Sequence, residues 1–296
     1  MNEEALVTVG IPTYNRADGL ERTLHSITSQ TYSNLDIVVS DNASIDKRVI
    51  EIIAKAADID SRIRHFTQRE NIGAAENFLF VLRQAKGSFF MWAADDDYWQ
   101  PTFIERLVCT IKKDPGCGLA FCDFDVRYND GTLCDAYGSF SEAYSHFTGD
   151  EGHARVASYA LQAPERGKAN MIYGLYRMKA LDYASAERYF RSRAWGADML
   201  FVCNILSEWK FSLAADKLYT VGISSLEPDQ ELYNNEYSSY GRVLASKLRL
   251  VEGHLRYCVE YIRILTGTPG SSPIIVLLFT ARIILHFWGL VKSDLR

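Results

Sequence analysis

Three consecutive aspartates are the residues in this chain best suited to do chemistry. Asp95, Asp96 and Asp97 follow, after Ala94, the apolar segment 88–93, which is typical of a buried strand. Two like charges about 4 Å apart repel each other by about 4 kcal/mol at an effective dielectric constant of 20. A divalent cation offsets this repulsion, and Mg²⁺ commonly binds one or two carboxylates together with substrate phosphates. The alternative is a solvated acidic loop that caps the next helix, but the strand before the aspartates and the segment 99–101 after them favour a site for a metal and a diphosphate.

Two further groups of polar residues follow apolar runs in the same way. Asp41 ends the run 35–39, and its carboxylate could accept a hydrogen bond from a base imide or a ribose hydroxyl. Thr13 and Tyr14 come directly after Pro12, and they could supply a hydroxyl and a stacking face for a base. On their own, these residues are also compatible with ordinary turns and caps.

The elements that must position these residues alternate between strand and helix patterns. Strands are predicted at 6–11, 35–39, 63–66, 88–93 and 119–128, and helical spacing of apolar residues recurs between them at 20–27, 49–57, 75–86 and 101–111. Alternation of this kind predicts an α/β fold with right-handed crossovers and a mainly parallel central sheet flanked by helices. In such Rossmann-like sheets, ligands bind at the carboxyl ends of the strands. All three polar groups lie at such ends.

The second half of the chain is less regular. We predict a long loop at 131–168, a helix at 197–209 and one or two strands at 211–225. From Gly241, apolar residues recur at alternating steps of four and three, which predicts an amphipathic helix of about seven turns. The predicted domains are therefore a catalytic domain at 1–225, with a nucleotide-binding half at 1–125 and an acceptor half at 126–225, and a helical C-terminal extension at 226–296.

Composition is that of a soluble globular protein. Of the 296 residues, 48% are hydrophobic and 23% are charged, and the net charge is −5. Basic residues are concentrated after Gly241, so the acidic body argues against a nucleic-acid-binding protein. The N-terminus has no basic, apolar leader, and the six cysteines show neither a CxxC pair nor zinc spacing, so we expect a cytoplasmic protein with reduced, buried thiols.

The segment 274–291 is apolar and 18 residues long. As a helix it would extend roughly 27 Å, which is short for a bilayer core about 30 Å thick, and it contains Arg282 and His286. We therefore expect a peripheral helix at the cytoplasmic face of the membrane rather than a spanning one. A helix that packs on the body or forms a homodimer is the alternative.

Four motifs in order carry a resemblance to a known family. The chain reads VGIPTYNR at 9–16, VVSDNASID at 38–46, RENIGAAEN at 69–77 and MWAADDDYWQP at 91–101. Together they resemble the nucleotide-binding half of family 2 glycosyltransferases of the GT-A fold. The resemblance is close over about residues 5–125 and looser to about residue 225.

The resemblance implies roles for individual residues. It places Thr13 and Tyr14 against the base, Asp41 on the uracil, and Arg69 and Asn71 in the nucleotide pocket. In the metal motif, Asp96 corresponds to the residue that holds the cation, Asp95 faces the ribose or phosphate, and Ala94 replaces the first aspartate of the usual pattern. The division among Asp95, Asp96 and Asp97 stays open, with Asp96 and Asp97 taken as the metal ligands.

The resemblance also implies a general base. The segment 195–200, WGADML, resembles the place where an aspartate at a helix start accepts the proton of the acceptor hydroxyl, which points to Asp198. An aspartate there is also a good helix cap, and Glu208 and Asp216 are weaker candidates. The segment 170–178 resembles the strand that shapes the sugar pocket. Many relatives carry an Arg or His after the strand that reads TVGIS at 220–224, and this chain has neither.

The implied function is that of a divalent-metal-dependent (Mg²⁺ or Mn²⁺) glycosyltransferase. It would move a sugar, with inversion, from a nucleotide-diphosphate sugar, by resemblance a UDP-sugar, to a glycan or lipid-linked acceptor in cell-surface polysaccharide biosynthesis. Two alternatives remain open. A nucleotidyltransferase would normally have a Gly-rich phosphate loop after the first strand, which PTYNR is not. A domain that binds nucleotide or membrane without catalysis would not need Asp96 and Asp198.

Overall fold

The computed structural model describes most of the chain. The described residues are 4–128, 131–134, 140, 149–162, 167–223 and 240–270, together with 273, 276–277, 280–281, 284–285 and 288 in the C-terminal segment.

The centre of the molecule is a sheet of eight strands. In chain order they are β1 (Val7–Thr13), β2 (Leu35–Asp41), β3 (Ile63–Thr67), β4 (Phe89–Trp92), β5 (Tyr98–Trp99), β6 (Cys117–Tyr128), β7 (Leu175–Arg177) and β8 (Lys210–Ile223). In space their order is β3-β2-β1-β4-β7-β6-β8-β5. The strand patterns predicted from the sequence correspond to β1, β2, β3, β4, β6 and β8.

One half of the sheet is parallel, and all four sequence motifs begin on its strands or shortly after them. β1 pairs with β2 and with β4, and β2 pairs with β3, all in parallel. Every residue of β1, β2 and β4 is buried, and fully burying a Val or Ile side chain contributes about 1.5–3 kcal/mol. Because these strands run in the same direction, their carboxyl ends form one edge.

The other half of the sheet is mixed. β7 pairs antiparallel with both β4 and β6, β6 pairs parallel with β8, and β5 pairs antiparallel with the end of β8. Four of the seven pairings are thus parallel, and the predicted α/β fold with a mainly parallel sheet is confirmed. The short strands β5 and β7 were not predicted, because two and three residues are too few to show a periodicity.

Eight helices of the described residues cover the sheet or extend from it. They are α1 (Ala17–Thr28), α2 (Lys47–Ile59), α3 (Ala74–Arg83), α4 (Phe103–Lys112), α5 (Gly152–Leu161), α6 (Tyr183–Phe190), α7 (Ala197–Glu208) and α8 (Tyr240–Gly267). α1–α4, α7 and α8 match the predicted helices within a few residues. α5 corrects part of the prediction of a loop at 131–168, and α6 was not predicted.

The C-terminal helix α8 is part of the folded body. Its side chains Tyr257, Tyr261 and Leu265 are buried, and the ring of Tyr257 packs edge-on against Trp195, with ring centroids 5.2 Å apart. Most of the predicted peripheral segment 274–291 lies outside the described residues. Within the part of the chain that the structure describes, no helix combines the length and apolarity needed to cross a membrane.

All six cysteines are free thiols, and the predicted burial holds for four of them. Cys117, Cys122, Cys203 and Cys258 are buried, and Cys109 is exposed. Burial raises the pKa of Cys203 to about 12 and that of Cys258 to about 11. These thiols therefore stay protonated at neutral pH, as expected for structural rather than reactive cysteines.

Candidate active site

A cavity of about 370 Å³ opens at the carboxyl edge of the parallel strands. It lies where β1 and β4 end, at the place predicted from the strand order. The structure brings together five of the predicted site residues in its lining. The lining residues are Pro12, Thr13, Tyr14, Arg16, Asn42, Asn71, Ala74, Asn77, Phe78, Ala94, Asp95, Asp96 and Tyr173.

Asparagines join the loops that follow the strands. The side-chain amide of Asn42 donates to the Asn71 side chain at 3.0 Å, and its oxygen accepts from the backbone N–H of Ile72 at 2.9 Å. The backbone N–H of Asn42 itself donates to the Thr13 carbonyl at 2.9 Å. The ends of β1 and β2 and the loop before α3 are therefore held as one wall of the cavity.

Asp41 lies beside this wall and is fully buried. One carboxylate oxygen, Oδ1, accepts from the backbone N–H of Ser44 at 3.1 Å. The other, Oδ2, is buried and has no hydrogen-bond donor among the described residues. A buried acceptor left without a partner costs about 1–3 kcal/mol. Asp41 itself is not among the residues that line the cavity.

Two glycines let the aspartate loop pack tightly between α1 and β8. A Cβ atom at Gly19 would lie 2.4 Å from the carbonyl oxygen of Asp95, and one at Gly222 would lie 2.7 Å from the carbonyl oxygen of Asp96. The hydroxyl of Thr23, on the same face of α1, donates within 3.0 Å to the Ala94 carbonyl. The backbone that carries the carboxylates is thus fixed from both sides.

Asp95 faces the end of β1. Its Oδ2 accepts from the Thr13 hydroxyl at 2.7 Å and from the Tyr14 backbone N–H at 3.4 Å. Burial raises the pKa of Asp95, while the hydrogen bond from Thr13 and the charge of Arg16 oppose the rise. Thr13 therefore serves to orient the carboxylate, a role that the sequence did not indicate.

Asp96 and Asp95 share one cation, the guanidinium of Arg16. Nη1 of Arg16 donates to Oδ2 of Asp96 and lies 3.6 Å from Oδ1 of Asp95. The two oxygens therefore face a common point at the mouth of the cavity. Among the described residues lining the cavity, Arg16 is the one cationic side chain.

Asp97 points away from the cavity. It is buried, and it accepts hydrogen bonds from the Tyr219 hydroxyl and, at 3.0 Å, from the Gly222 backbone N–H. Burial, together with the charge of Asp96, raises the pKa of Asp97 to about 7. This placement argues against the predicted role of Asp97 as a metal ligand and gives it the task of fixing β8 to the aspartate loop.

The donor set of Asp95 and Asp96 fits a hard divalent cation. Their two facing oxygens already contact one positively charged nitrogen, and carboxylate oxygens are the preferred protein ligands of Mg²⁺ and Mn²⁺. Within the part of the chain that the structure describes, no group of three or more His, Cys, Asp or Glu side chains is arranged to hold a metal. A site with two protein ligands is completed by phosphate and water oxygens.

Asp198 lies in the first turn of α7, as predicted, and does not line the cavity. Burial raises its pKa, while hydrogen bonds from backbone N–H groups, those of Met199 and of Asp198 itself, and the charge of Lys168 oppose the rise. A general base is most effective when its pKa lies near the working pH, so a raised pKa suits a carboxylate to this role.

The side chain of Tyr173 lies near both Asp198 and the aspartate loop. Its side chain lines the cavity, and its pKa is raised well above the usual value by burial and then by the charges of Asp97, Asp96, Asp198 and Asp95. One hydroxyl is therefore within electrostatic reach of all four carboxylates. The resemblance relates the segment 170–178 to the sugar pocket without singling out Tyr173.

Three other predicted candidates lie elsewhere. Arg69 is exposed and lines a separate cavity of about 410 Å³ behind Phe66 and Phe80. Glu208 is exposed at the C-terminal end of α7. Asp216 pairs with Arg106, with Nη2 and Oδ2 2.5 Å apart.

The sequence reasoning did not single out Arg16, Tyr173, Asn77 or Phe78 as site residues. Arg16 stands in the first motif, three residues after the end of β1, so its position in the chain was a usable signal. Asn77 and Phe78 lie on α3, and no local pattern shows that this helix turns them toward the cavity. Tyr173 reaches the site from a 3-10 turn at Lys168–Tyr173 in the second half of the chain.

Comparison with known proteins adds independent evidence. The family model described as "Glycosyl transferase family 2" matches residues 8–161, more than half of the chain. A Bacillus subtilis (strain 168) glycosyltransferase named for teichuronic acid biosynthesis, TuaG, is 29% identical over 136 residues, which cover 46% of this chain and 53% of that protein. The chain thus spans about half the length of this relative, and it spans less of the next four curated relatives that it matches.

Two solved structures resemble the whole chain in fold. S. aureus TarS 1-349 in complex with UDP has a TM-score of 0.57 at 15% identity, with 98% of this chain and 91% of that chain covered. The mannosyltransferase PcManGT from Pyrobaculum calidifontis in complex with GDP-Man and Mn²⁺ has a TM-score of 0.56 at 16% identity, with 99% and 79% covered. At this identity the likeness concerns the fold, which is the GT-A fold expected from the motifs. Through the match to residues 8–161, with its cavity and aspartate pair at the carboxyl edge of the sheet, the chain belongs to glycosyl transferase family 2.

Proposed function

We propose that the chain is a metal-dependent, inverting glycosyltransferase that transfers a sugar from a UDP-sugar to a glycan or lipid-linked acceptor in cell-surface polysaccharide biosynthesis. The observation that carries the proposal is the orientation of Asp95 and Asp96. Both turn one carboxylate oxygen toward the same point at the mouth of a cavity where β1 and β4 end. A nucleotide diphosphate needs a cation at such a point.

The end of β2, beside the cavity, offers an acceptor for a base with an imide donor. Oδ2 of Asp41 is buried without a donor among the described residues, and the N–H of a uracil would satisfy it. Tyr14 is 38% exposed at the cavity, so its ring is accessible for stacking. The relative TarS was solved with UDP and PcManGT with GDP-Man and Mn²⁺, which supports a nucleotide-sugar donor here.

Asp95 and Asp96 are the residues that would hold Mg²⁺ or Mn²⁺. The chemistry that the cation supplies is neutralisation of the leaving diphosphate, a Lewis-acid effect of several kcal/mol. The chain's own part is to fix the two carboxylates in advance. Thr13 holds Oδ2 of Asp95, and Gly19 and Gly222 confine the backbone of the loop.

Asp198 is the group proposed to accept the proton of the acceptor hydroxyl as its oxygen attacks the anomeric carbon. The carbon–oxygen bond to the diphosphate breaks as the new glycosidic bond forms, and the proton ends on the Asp198 carboxylate. Hydrogen bonds from the backbone N–H groups at the start of α7 orient this carboxylate. Tyr173 lines the cavity and is within electrostatic reach of both Asp198 and the aspartate pair, so its side chain would lie beside the transferred sugar.

A donor screen tests the proposal. The full chain is heated with UDP-, GDP- and dTDP-sugars, with and without Mn²⁺, and product formation is followed by mass spectrometry with candidate glycan and lipid-linked acceptors. We expect a UDP-sugar to raise the melting temperature by several degrees in the presence of Mn²⁺, since a ligand at 100 times its Kd stabilises by about 2.7 kcal/mol. Stabilisation that is equal without metal, or binding without any transfer or hydrolysis, would contradict the proposal.

We also infer a peripheral membrane contact through the segment 274–291. Among its described residues, Leu277, Leu285 and Trp288 are 73%, 71% and 60% exposed, and the basic residues near them favour an anionic surface. The full chain is expected to sediment with vesicles that contain phosphatidylglycerol and to lose this binding when 274–296 is deleted. Equal sedimentation of both forms would contradict a membrane role of the tail.

A further inference from the structure

We propose that Arg16 is an exchangeable counterion of the donor site. Its guanidinium pairs with Asp95 and Asp96 in the free protein, and it moves onto the diphosphate of the donor when a divalent cation takes its place. Free cation and nucleotide would then bind weakly alone and strongly together. This inference rests on the proposed function and adds to it the residue that couples the two ligands.

The first observation is the position of the guanidinium. Nη1 of Arg16 contacts Oδ2 of Asp96 and lies 3.6 Å from Oδ1 of Asp95, the two oxygens assigned to the cation. A cation bound to both oxygens would lie in the space that Nη1 now fills. Two positive charges so close together repel strongly in a partly buried site. The cation and the guanidinium of Arg16 therefore cannot both contact these oxygens at once.

The second observation is that the carboxylates of Asp95 and Asp96 are held in place, whereas the side chain of Arg16 can change its conformation. The aspartates are fixed by the hydrogen bond from Thr13 to Asp95 and by the close approach of Gly19 and Gly222 to their backbone. The backbone of Arg16 is fixed too, since its carbonyl accepts the first hydrogen bond of α1 from Leu20. Its side chain is 55% exposed, so it can rotate about a fixed Cα without unfolding the helix.

The third observation is that Arg16 has an anion to move to only when the donor is present. It is the one cationic side chain among the described residues lining the cavity, and guanidinium groups bind phosphate oxygens in a bidentate manner. A cation alone would expel Arg16 into water. A cation that arrives with a diphosphate would give Arg16 a new partner, so the two binding steps become thermodynamically linked.

The test is a comparison of two affinities in the full-length chain and in Arg16→Gln. Mn²⁺ binding is measured by electron paramagnetic resonance without nucleotide, and UDP binding by calorimetry at saturating Mn²⁺. In the absence of nucleotide, the variant is expected to bind Mn²⁺ about tenfold more tightly than the wild type. At saturating Mn²⁺, it is expected to bind UDP about tenfold more weakly. Both changes are within the range typical of coupling between sites. Changes of opposite sign identify an exchanging counterion.

Two further variants control the experiment. Arg22→Gln removes a charge from an exposed position of the same helix and should leave both affinities unchanged. Arg16→Lys keeps the charge but not the planar fork and should fall between the wild type and Arg16→Gln. Circular dichroism of each variant checks that the fold is retained.

Each outcome decides the question. If Arg16→Gln weakens both affinities, Arg16 merely supports the site, and the inference is wrong. It is also wrong if neither affinity changes. A wild-type chain that binds no UDP with or without Mn²⁺ would overturn the proposed function and the exchange together, whereas intact UDP binding with equal-sign effects would overturn the exchange alone.

Discussion

Replacement of Asp198 by Asn is expected to lower the rate of sugar transfer by about 10²–10⁴-fold, the contribution typical of a general base. The variant keeps the size of the side chain and loses its ability to accept the proton of the acceptor hydroxyl. Asp198 does not line the cavity that holds Asp95 and Asp96. The affinity for UDP in the presence of Mn²⁺ should therefore stay within about threefold of wild type, well below the 1.36 kcal/mol that a tenfold change represents.

The pH dependence gives a second readout of the same residue. Burial raises the pKa of Asp198 above its ordinary value, and a general base acts in its deprotonated form. Transfer should therefore be fully active above this raised pKa and be lost as the pH falls through it, at a higher pH than an exposed aspartate would give. The acid limb of the profile should be absent from the residual activity of Asp198→Asn.

A matched control lies on the same helix. Glu208→Gln removes a carboxylate at the exposed C-terminal end of α7 and should transfer at the wild-type rate. Initial rates at saturating donor and acceptor, measured across pH for all three proteins, provide the comparison. Asp198→Asn with a rate within tenfold of wild type would show that another group takes the proton.

The parallel half of the fold could be predicted from the sequence because its signals are local. The strands β1, β2 and β4 are buried on both faces, and their sequences are short, mostly apolar runs. Strand direction then follows from the alternation with helices, and direction alone places Thr13, Asp41 and Asp95 at one edge. No side-chain detail is needed for that step.

The orientation of neighbouring side chains could not be predicted in the same way. Asp95, Asp96 and Asp97 are adjacent in sequence, yet Asp97 turns to Tyr219 and Gly222 on β8 while the other two face Arg16. These partners are remote in the chain or belong to another motif. The sequence therefore indicates which segment lies at the cavity, but not which of its carboxylates face it.

Regions stabilised by tertiary contacts could not be predicted from the sequence either. β7 has three residues and pairs with β4 and β6 on either side, so its strand conformation depends on neighbours that exist only in the fold. Helix α5 lies in a stretch without a clear apolar period, and its buried Arg155 donates to the Leu206 carbonyl at the end of α7 at 3.0 Å. Such a contact between distant segments leaves no periodic signal.

The comparison of Asp96→Asn with Asp97→Asn separates metal binding from support of the loop. Both variants change one carboxylate to an amide of the same shape in adjacent positions. Asp96→Asn removes the charge that faces the cation and is expected to lower both Mn²⁺-dependent UDP affinity and the transfer rate by about 10²–10³-fold. This corresponds to roughly 3–4 kcal/mol of the several kcal/mol attributed to a catalytic metal.

Asp97→Asn should leave metal binding nearly unchanged. With its pKa raised to about 7 by burial, Asp97 is readily protonated near neutral pH, so the neutral amide resembles a form that the fold accepts. The amide oxygen can keep the bond from the Gly222 N–H, and the Tyr219 hydroxyl can rotate to accept from the new NH₂ group. Mn²⁺ titrations of the three proteins in the presence of UDP make the comparison. If instead Asp97→Asn lost the metal and Asp96→Asn kept it, the cation would have to bind on the β8 side of the loop, and the cavity at β1 and β4 would not be the donor site.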